Sequence, residues 1–391
     1  MKNIWLSKAE IMSLPTSGTA WDTVVKYANQ ATGAADLTNQ DSMANVQCLA
    51  AALVYARTGD VSAKGRVIGA LDKIIGFAAD TYKLDRALAL GRELCAYVIA
   101  ADICDLSALS PTMDTEFQDA IRVLLTKPTT GGPSNLIQCQ LQRPNNWGMH
   151  ATASIVAVYA YLGDTDGLNQ TANVFKGWLG DYAAYHNFKF TAPLDWHADP
   201  AHPVGINPKG AQIQGHNVDG VLPDDLRRGG GFAWPPPGGD GRMYSWEALQ
   251  GATVAAQLLS RAGYDAWNWS DKALLRAATW LYDVAKWPPS GDDGWQPWLI
   301  NAAYGSNFPA IANASPGKNM GFTAWTHAAP VIVKPPVPDP TPDPTPTPDC
   351  ADCLAELAAV KAVLTTTQTE LATVAGKLKA ITDLVLSQQG D

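Results

Sequence analysis

Residues 143–164 read Arg-Pro-Asn-Asn-Trp-Gly-Met-His-Ala-Thr-Ala-Ser-Ile-Val-Ala-Val-Tyr-Ala-Tyr-Leu-Gly-Asp. From Trp147 to Leu162 the apolar residues recur at spacings of three and four, which predicts a helix. Asn is a residue type that caps a helix start. Gly163 is the type that accepts the left-handed backbone ending one. The same stop recurs in Tyr55-Ala56-Arg57-Thr58-Gly59-Asp60 and in Leu259-Ser260-Arg261-Ala262-Gly263-Tyr264-Asp265. Apolar periodicity predicts helices over 41–58, 63–79, 90–106, 115–126, 147–162, 170–182, 246–262 and 271–286. No strict sequence period accompanies the recurring stops. The expected fold is all-α, a ring of helical hairpins (an α/α toroid) spanning residues 1–330. Other antiparallel helical arrays fit the same pattern.

The chain has 391 residues, room for one large domain and an appendage. Its net charge of −9 argues against a general affinity for nucleic acid. For an anionic substrate, a local basic cluster would have to override that field, and Lys209, Arg227, Arg228 and Arg242 are candidates. Fourteen Trp is a high number; most belong in a core, and flat aromatic faces also stack on sugar rings. No run of about 18 apolar residues occurs, so no membrane span is expected. The opening Met1-Lys2-Asn3-Ile4-Trp5-Leu6-Ser7-Lys8 breaks into charge at once and does not read as a secretion signal. Cys48, Cys95, Cys104 and Cys139 lie in apolar helical contexts and read as buried free thiols, not as a zinc site.

The tail divides itself. Within a linker at 331–349, residues 334–349 read KPPVPDPTPDPTPTPD, where alternating Pro excludes helix and central strand. In a polyproline conformation the spacer reaches roughly 50 Å at about 3.1 Å per residue. In segment 350–391, Leu357, Leu364, Leu371, Leu378 and Val385 recur every seven residues, with Val360, Thr367, Val374 and Ile381 three places on. That spacing predicts a short coiled coil, favoured by the long spacer over a single amphipathic helix packed on the main domain, and Leu at a with β-branched residues at d favours oligomers above the dimer. A homo-oligomer through residues 350–388 is therefore expected, and Cys350 and Cys353 continue the same frame.

The stretch 184–243 breaks the helical pattern. It is rich in Gly, Pro, His and Trp, and long irregular segments inside a domain are usually functional. It is expected to lie over the mouth of the toroid. It contains Asp219-Gly220-Val221-Leu222-Pro223-Asp224-Asp225-Leu226-Arg227-Arg228-Gly229, and Tyr244 follows just past its end. With Asn145, Asn146 and His150, these residues offer amide, imidazole, guanidinium and phenol groups. One of the paired Asn residues is accounted for as a cap. Asn146 and His150 are four apart and share one helical face.

Here a resemblance enters. Asn145-Asn146-Trp147, followed by a helix ending Tyr161-Leu162-Gly163-Asp164, resembles the alginate lyases built on α/α toroids, which carry Asn-Asn-His at this point. The second segment resembles their Asp-Gly-x-Leu-Pro-x-Glu-x-x-Arg-Gly, followed by a Tyr opening a helix with Ala-Leu-Gln. It matches at Asp219, Gly220, Leu222, Pro223, Asp225, Arg228, Gly229, Tyr244, Ala248, Leu249 and Gln250. The matching motifs cover about a third of the chain. The resemblance implies a polysaccharide lyase in which Asn146 and Arg228 neutralise a uronate carboxylate and Tyr244 moves protons. The family's His is Trp147 here, and His150, one turn later, is the nearest substitute. The chain also departs by inserting Trp234-Pro235-Pro236-Pro237-Gly238-Gly239-Asp240 before Tyr244. Arg143, Asn145, Trp147, His197, His216, Arg227 and Trp246 complete the expected substrate-binding set.

This chemistry needs no metal and no cofactor. Donors on the carboxylate stabilise an enolate-like intermediate. A base then takes the proton and an acid protonates the leaving oxygen. The expected partner is an anionic polysaccharide, alginate-like or another uronate polymer, with no nucleic acid and no membrane. A glycoside hydrolase on the same toroid is the main rival, with Asp219, Asp225, Asp240 and Glu247 as candidate carboxylates. A metal hydrolase using His197, Asp199, His202 and His216 is a weaker one, because Pro200 places these ligand types in a loop. The third alternative is a non-catalytic carbohydrate-binding tail component. Lack of a secretion signal sits awkwardly with an extracellular polymer. A bacteriophage virion depolymerase freed by lysis resolves this, and a cytoplasmic enzyme is the other option.

Overall fold

The computed structural model describes residues 1–81 and 83–328. The spacer and the heptad segment, with Cys350 and Cys353, lie outside the described residues. The fold is all-α, as the periodicity requires. Its helices are α1 (Lys8–Ser13), α2 (Thr19–Gln30), α3 (Ala44–Thr58), α4 (Val61–Ala79), α5 (Ala87–Ile103), α6 (Leu106–Leu109), α7 (Pro111–Thr126) and α8 (Leu136–Gln142). They continue with α9 (Asn146–Leu162), α10 (Thr165–Leu179), α11 (Pro223–Leu226), α12 (Asp240–Arg261), α13 (Trp269–Thr279), α14 (Gln296–Tyr304) and α15 (Thr323–Thr326). Strands are minor: β1 (Leu84–Arg86) pairs in parallel with β2 (Thr129–Gly131), and β3 (Gln212–Ile213) pairs antiparallel with β4 (His216–Asn217).

Two kinds of helix alternate along the chain. α2, α7 and α10 bury one stripe, as Trp21, Val24 and Ala28 show in α2. Such a stripe belongs to a helix whose other face meets water. α5 is buried along its whole length, and α3, α9 and α12 nearly so. A helix apolar all round has to be covered on all sides. The contacts agree: α9 packs between α5 and α12, and α5 packs against α3. α2 and α4 flank α3, while α7 and α10 flank α9. The expected glycine stops occur at Gly59 and Gly163, with φ of 77° and 68°. The four expected thiols are free and buried. No helix among the described residues is long and apolar enough to cross a membrane.

Glycine permits the close approach of the inner helices. A Cβ built on Gly91 of α5 would lie 2.9 Å from the Ala151 nitrogen of α9, and one on Gly251 of α12 would lie 2.3 Å from the Met149 carbonyl carbon. Gly251→Ala is therefore expected to push α12 off α9, at the upper end of overpacking penalties, about 3 kcal/mol. Gly65→Ala, on α4 with nothing within 4 Å, is the control, and removing a helix-interior glycine there should stabilise by about 0.5–1 kcal/mol. Denaturant midpoints moving in opposite directions would check the pair; equal midpoints would contradict the packing argument.

Segment 184–243 is irregular up to Gly239, with β3, β4, α11 and a tight turn at Arg227–Gly229 as its regular pieces, and its last four residues form the first turn of α12. It is pinned from within and from below. Asn207 donates its side-chain amide to the Trp196 carbonyl at 2.9 Å, and Asp219 pairs with Arg276 at 2.6 Å. The Trp178 indole on α10 donates to the Pro144 carbonyl at 2.7 Å, which fixes the entry into α9.

Candidate active site

The start of α9 divides the work between its two asparagines. Asn145 is the cap: its Oδ1 accepts from the Trp147 backbone N–H at 3.2 Å, and its Nδ2 donates to Asp224 at 2.9 Å. Capping by Asn145 leaves the Asn146 side chain free for other partners. The Asn146 backbone N–H donates to Asp225 at 3.1 Å, and its Nδ2 donates to Glu247 Oε2 on α12 at 3.0 Å. The Asn146 Oδ1 is buried and finds no hydrogen-bond partner among the described residues.

Glu247 gathers the other groups. Its Oε1 pairs with the Arg92 guanidinium from α5, and both side chains are almost wholly buried. His150 Nε2 lies 4.0 Å from the same oxygen, so Asn146 and His150 do share the face that looks at α12. Both His150 ring nitrogens are buried without a hydrogen-bond partner among the described residues. Burial first, then the charges of Arg92 and Lys318, hold its pKa well below the ordinary imidazole value. Burial and these two cations thus favour the uncharged ring over the protonated one. Tyr244, one helical turn before Glu247 on α12, is half-buried and within electrostatic range of Arg92. The exposed Arg228 guanidinium sits 3.9 Å over its ring centre, within cation–π reach.

Nearby acids are pushed toward neutrality. Burial, then the charge of Asp224, raises Asp225 well above the carboxylate range. Burial raises Glu93, beside Arg92 on α5, to about 10, with Asp36 adding to it. Burial likewise raises Asp293 to about 7. Of the four cations the sequence offered, Arg228 alone stands over Tyr244. Lys209 faces Asp271, Arg242 is bonded to the 288–290 loop, and Arg227 is paired with Asp224 at 2.8 Å. Arg92 and Lys318, neither of which the motifs pointed to, are the cations that act on His150.

The structure thus brings Asn146, His150 and Glu247 together, and pairs Arg228 with Tyr244 one helical turn before Glu247. It places other expected residues elsewhere. Trp246 is 1 % exposed, donates its indole N–H to the Trp287 carbonyl at 2.8 Å, and belongs to the core. Trp147, at the position of the family's His, is wedged between Arg143, 5.4 Å from its ring, and the backbone at Gly132. His216 stacks on Trp234. His197 is buried edge-on against Phe190, whereas His202 is exposed and bonded to Asp199 at 2.9 Å, so these two ligand types face different surroundings. Arg92 carried a signal the motifs did not use: Arg92-Glu93 is a charged pair inside the apolar run Ala87–Ile103.

Burial holds the His197 pKa down to about 4. As pH falls below the unfolded value of 6.5, the unfolded chain takes up this proton and the folded chain does not. Stability is lost across pH 6.5 to 4 and the loss then levels off. His197→Phe keeps the edge-on packing and removes the titration. Denaturation of both proteins at several pH values should show the variant gaining on the wild type as pH falls through that window. A constant difference would contradict the assignment.

Compared with protein-family models, curated proteins and solved structures, the chain matches none.

Proposed function

We propose that residues 1 to about 330 form an α/α toroid bearing a polysaccharide lyase site that cleaves a uronate-containing polymer by β-elimination. The alternation of covered and one-sided helices supports the ring. One observation carries the chemistry: an amide, a guanidinium and a neutral imidazole converge on a single carboxylate, that of Glu247, next to a phenol and a second guanidinium. Arg92 and the Asn146 amide are engaged by Glu247, which leaves the exposed Arg228 as the donor for a substrate carboxylate. With a uronate beside Arg228, the proton on the carbon next to its carboxylate becomes more acidic, because the enolate-like intermediate is stabilised. Tyr244, half-buried, is proposed as the proton-transfer group there, and His150, wholly buried, as a second. The carbon–hydrogen bond and the bond to the leaving glycosidic oxygen break, a carbon–carbon double bond forms, and the leaving oxygen takes a proton. No water is consumed.

Among the four carboxylates a hydrolase would draw on, Asp219 is paired with Arg276, Asp225 is fully buried, Glu247 is engaged by Arg92 and Asn146, and Asp240 alone is exposed, one acid where hydrolysis needs two. This arrangement favours elimination over hydrolysis. The spacer and heptad tail suit an enzyme presented as several linked heads, which gives avidity on a long polymer, and a virion depolymerase is the setting proposed. Digestion of uronate polymers in heavy-oxygen water separates the mechanisms. Elimination leaves no heavy oxygen at the new ends, whereas its incorporation there would establish hydrolysis instead.

A further inference from the structure

The segment between Arg228 and Tyr244 carries aromatic residues that the proton chemistry does not use. They form a ladder from the core to the surface. Trp196, 1 % exposed, packs on Phe232 with ring centres 4.8 Å apart. Phe232 meets His216 at 6.4 Å, and His216 stacks on Trp234 at 4.5 Å with only 11° between the planes. Trp234 ends the ladder with 37 % of its surface exposed, the only tryptophan among the exposed large apolar side chains of the described residues.

The ladder is held rigid from several sides. The Trp196 indole donates to the Gly230 carbonyl at 3.0 Å, and the Phe232 N–H donates to Asp195 at 2.7 Å. His216 comes from the β3–β4 hairpin, so the stack ties two separate parts of the irregular segment together. The loop also folds back on its own base. A Cβ on Gly229 would lie 2.9 Å from the Gly238 carbonyl oxygen and 3.1 Å from that of Pro237. Arg228 precedes this base. At about 3.3–3.6 Å per residue, the four residues from Gly238 to Trp234 span at most roughly 14 Å. The exposed ring therefore stands within a few sugar units of Arg228.

We propose that the outer face of Trp234 is a sugar-stacking subsite, taking a pyranose ring of the polymer outside the cleaved bond. A pyranose presents a patch of C–H bonds on one face, which suits the electron-rich face of an indole. His216 covers the opposite face and fixes its angle, so little ordering remains to be done on binding. Being uncharged, the platform contributes affinity without depending on the uronate carboxylate, while the Arg228 end supplies the charge recognition. The identity of the polymer as a uronate rests on the lyase reading; the stacking itself does not.

The test uses the full chain. Wild type, Trp234→Ala and Trp234→Phe are run in native gels cast with alginate, with hyaluronate, or with a neutral glucan. The expected result is retardation by a uronate polymer, weakened about tenfold in apparent affinity by Trp234→Ala and largely kept by Trp234→Phe. On chains long enough to reach the platform, Trp234→Ala should raise KM and leave kcat unchanged, with no change on the shortest cleavable oligosaccharide. A merely structural role would change both substrates alike and would overturn the proposal. So would equal retardation of wild type and Trp234→Ala, or no retardation in any gel. Retardation by the neutral glucan alone, lost in Trp234→Ala, supports the platform while removing the uronate reading.

Discussion

Tyr244→Phe is expected to abolish the formation of unsaturated uronate product, with a loss of at least about 10²–10⁴-fold, the range for removing a proton-transfer group. The fold should survive. The contact that holds this side chain is between its ring and the Arg228 guanidinium, 3.9 Å away, and phenylalanine keeps the ring. Circular dichroism and denaturant midpoint should match the wild type while the absorbance of new double bonds stays flat. A second variant guards against a trivial result: Arg228→Lys keeps the charge but loses the planar guanidinium over the ring, and should retain part of the activity. Wild-type rates in Tyr244→Phe would remove this residue from the mechanism and leave His150 as the proton acceptor to be tested next.

Arg92→Ala should cost stability as well as activity. The Arg92–Glu247 pair is nearly free of solvent, so deleting one partner leaves an uncompensated buried charge, a loss of about 3–5 kcal/mol. Removing both charges together should cost much less, because well-packed apolar residues often replace a buried pair with little penalty. A double-mutant cycle of Arg92→Met and Glu247→Met, followed by chemical denaturation, measures the coupling. Strong non-additivity is expected, with the double variant more stable than the Arg92→Met single variant. The double variant should nevertheless be inactive, since Asn146 loses the carboxylate that orients its amide at 3.0 Å. Additive losses would mean that the two side chains act independently and that Glu247 does not organise the site.

Much of this was legible in the chain because helices advertise themselves through periodicity and glycine stops. The run 147–162 became Asn146–Leu162, and 41–58 became Ala44–Thr58. Boundaries slipped where the first turn is polar, as in α12, which starts at Asp240 and not at 246. α14 escaped notice because Pro297 looks like a breaker, although proline is tolerated in a first turn. α2 escaped despite Trp21, Val24 and Ala28 at helical spacing. In the candidate site, the spacing of four put Asn146 and His150 on one face, where both meet Glu247, whereas the roles proposed for Arg228 and Tyr244 rest on the motif. Arg92 was not, because its partner lies 155 positions away on another helix, and only the fold brings α5, α9 and α12 together. Trp246 illustrates the converse error: next to functional residues in sequence, it points into the core because neighbouring helical residues face different ways.

The claim that an organised set of donors around one carboxylate serves β-elimination is tested most directly by following near-ultraviolet absorbance while the full chain is incubated with a panel of uronate polymers. A steady rise on at least one polymer, absent with Tyr244→Phe, is the predicted result. Chain shortening with new reducing ends and no rise in absorbance would contradict it.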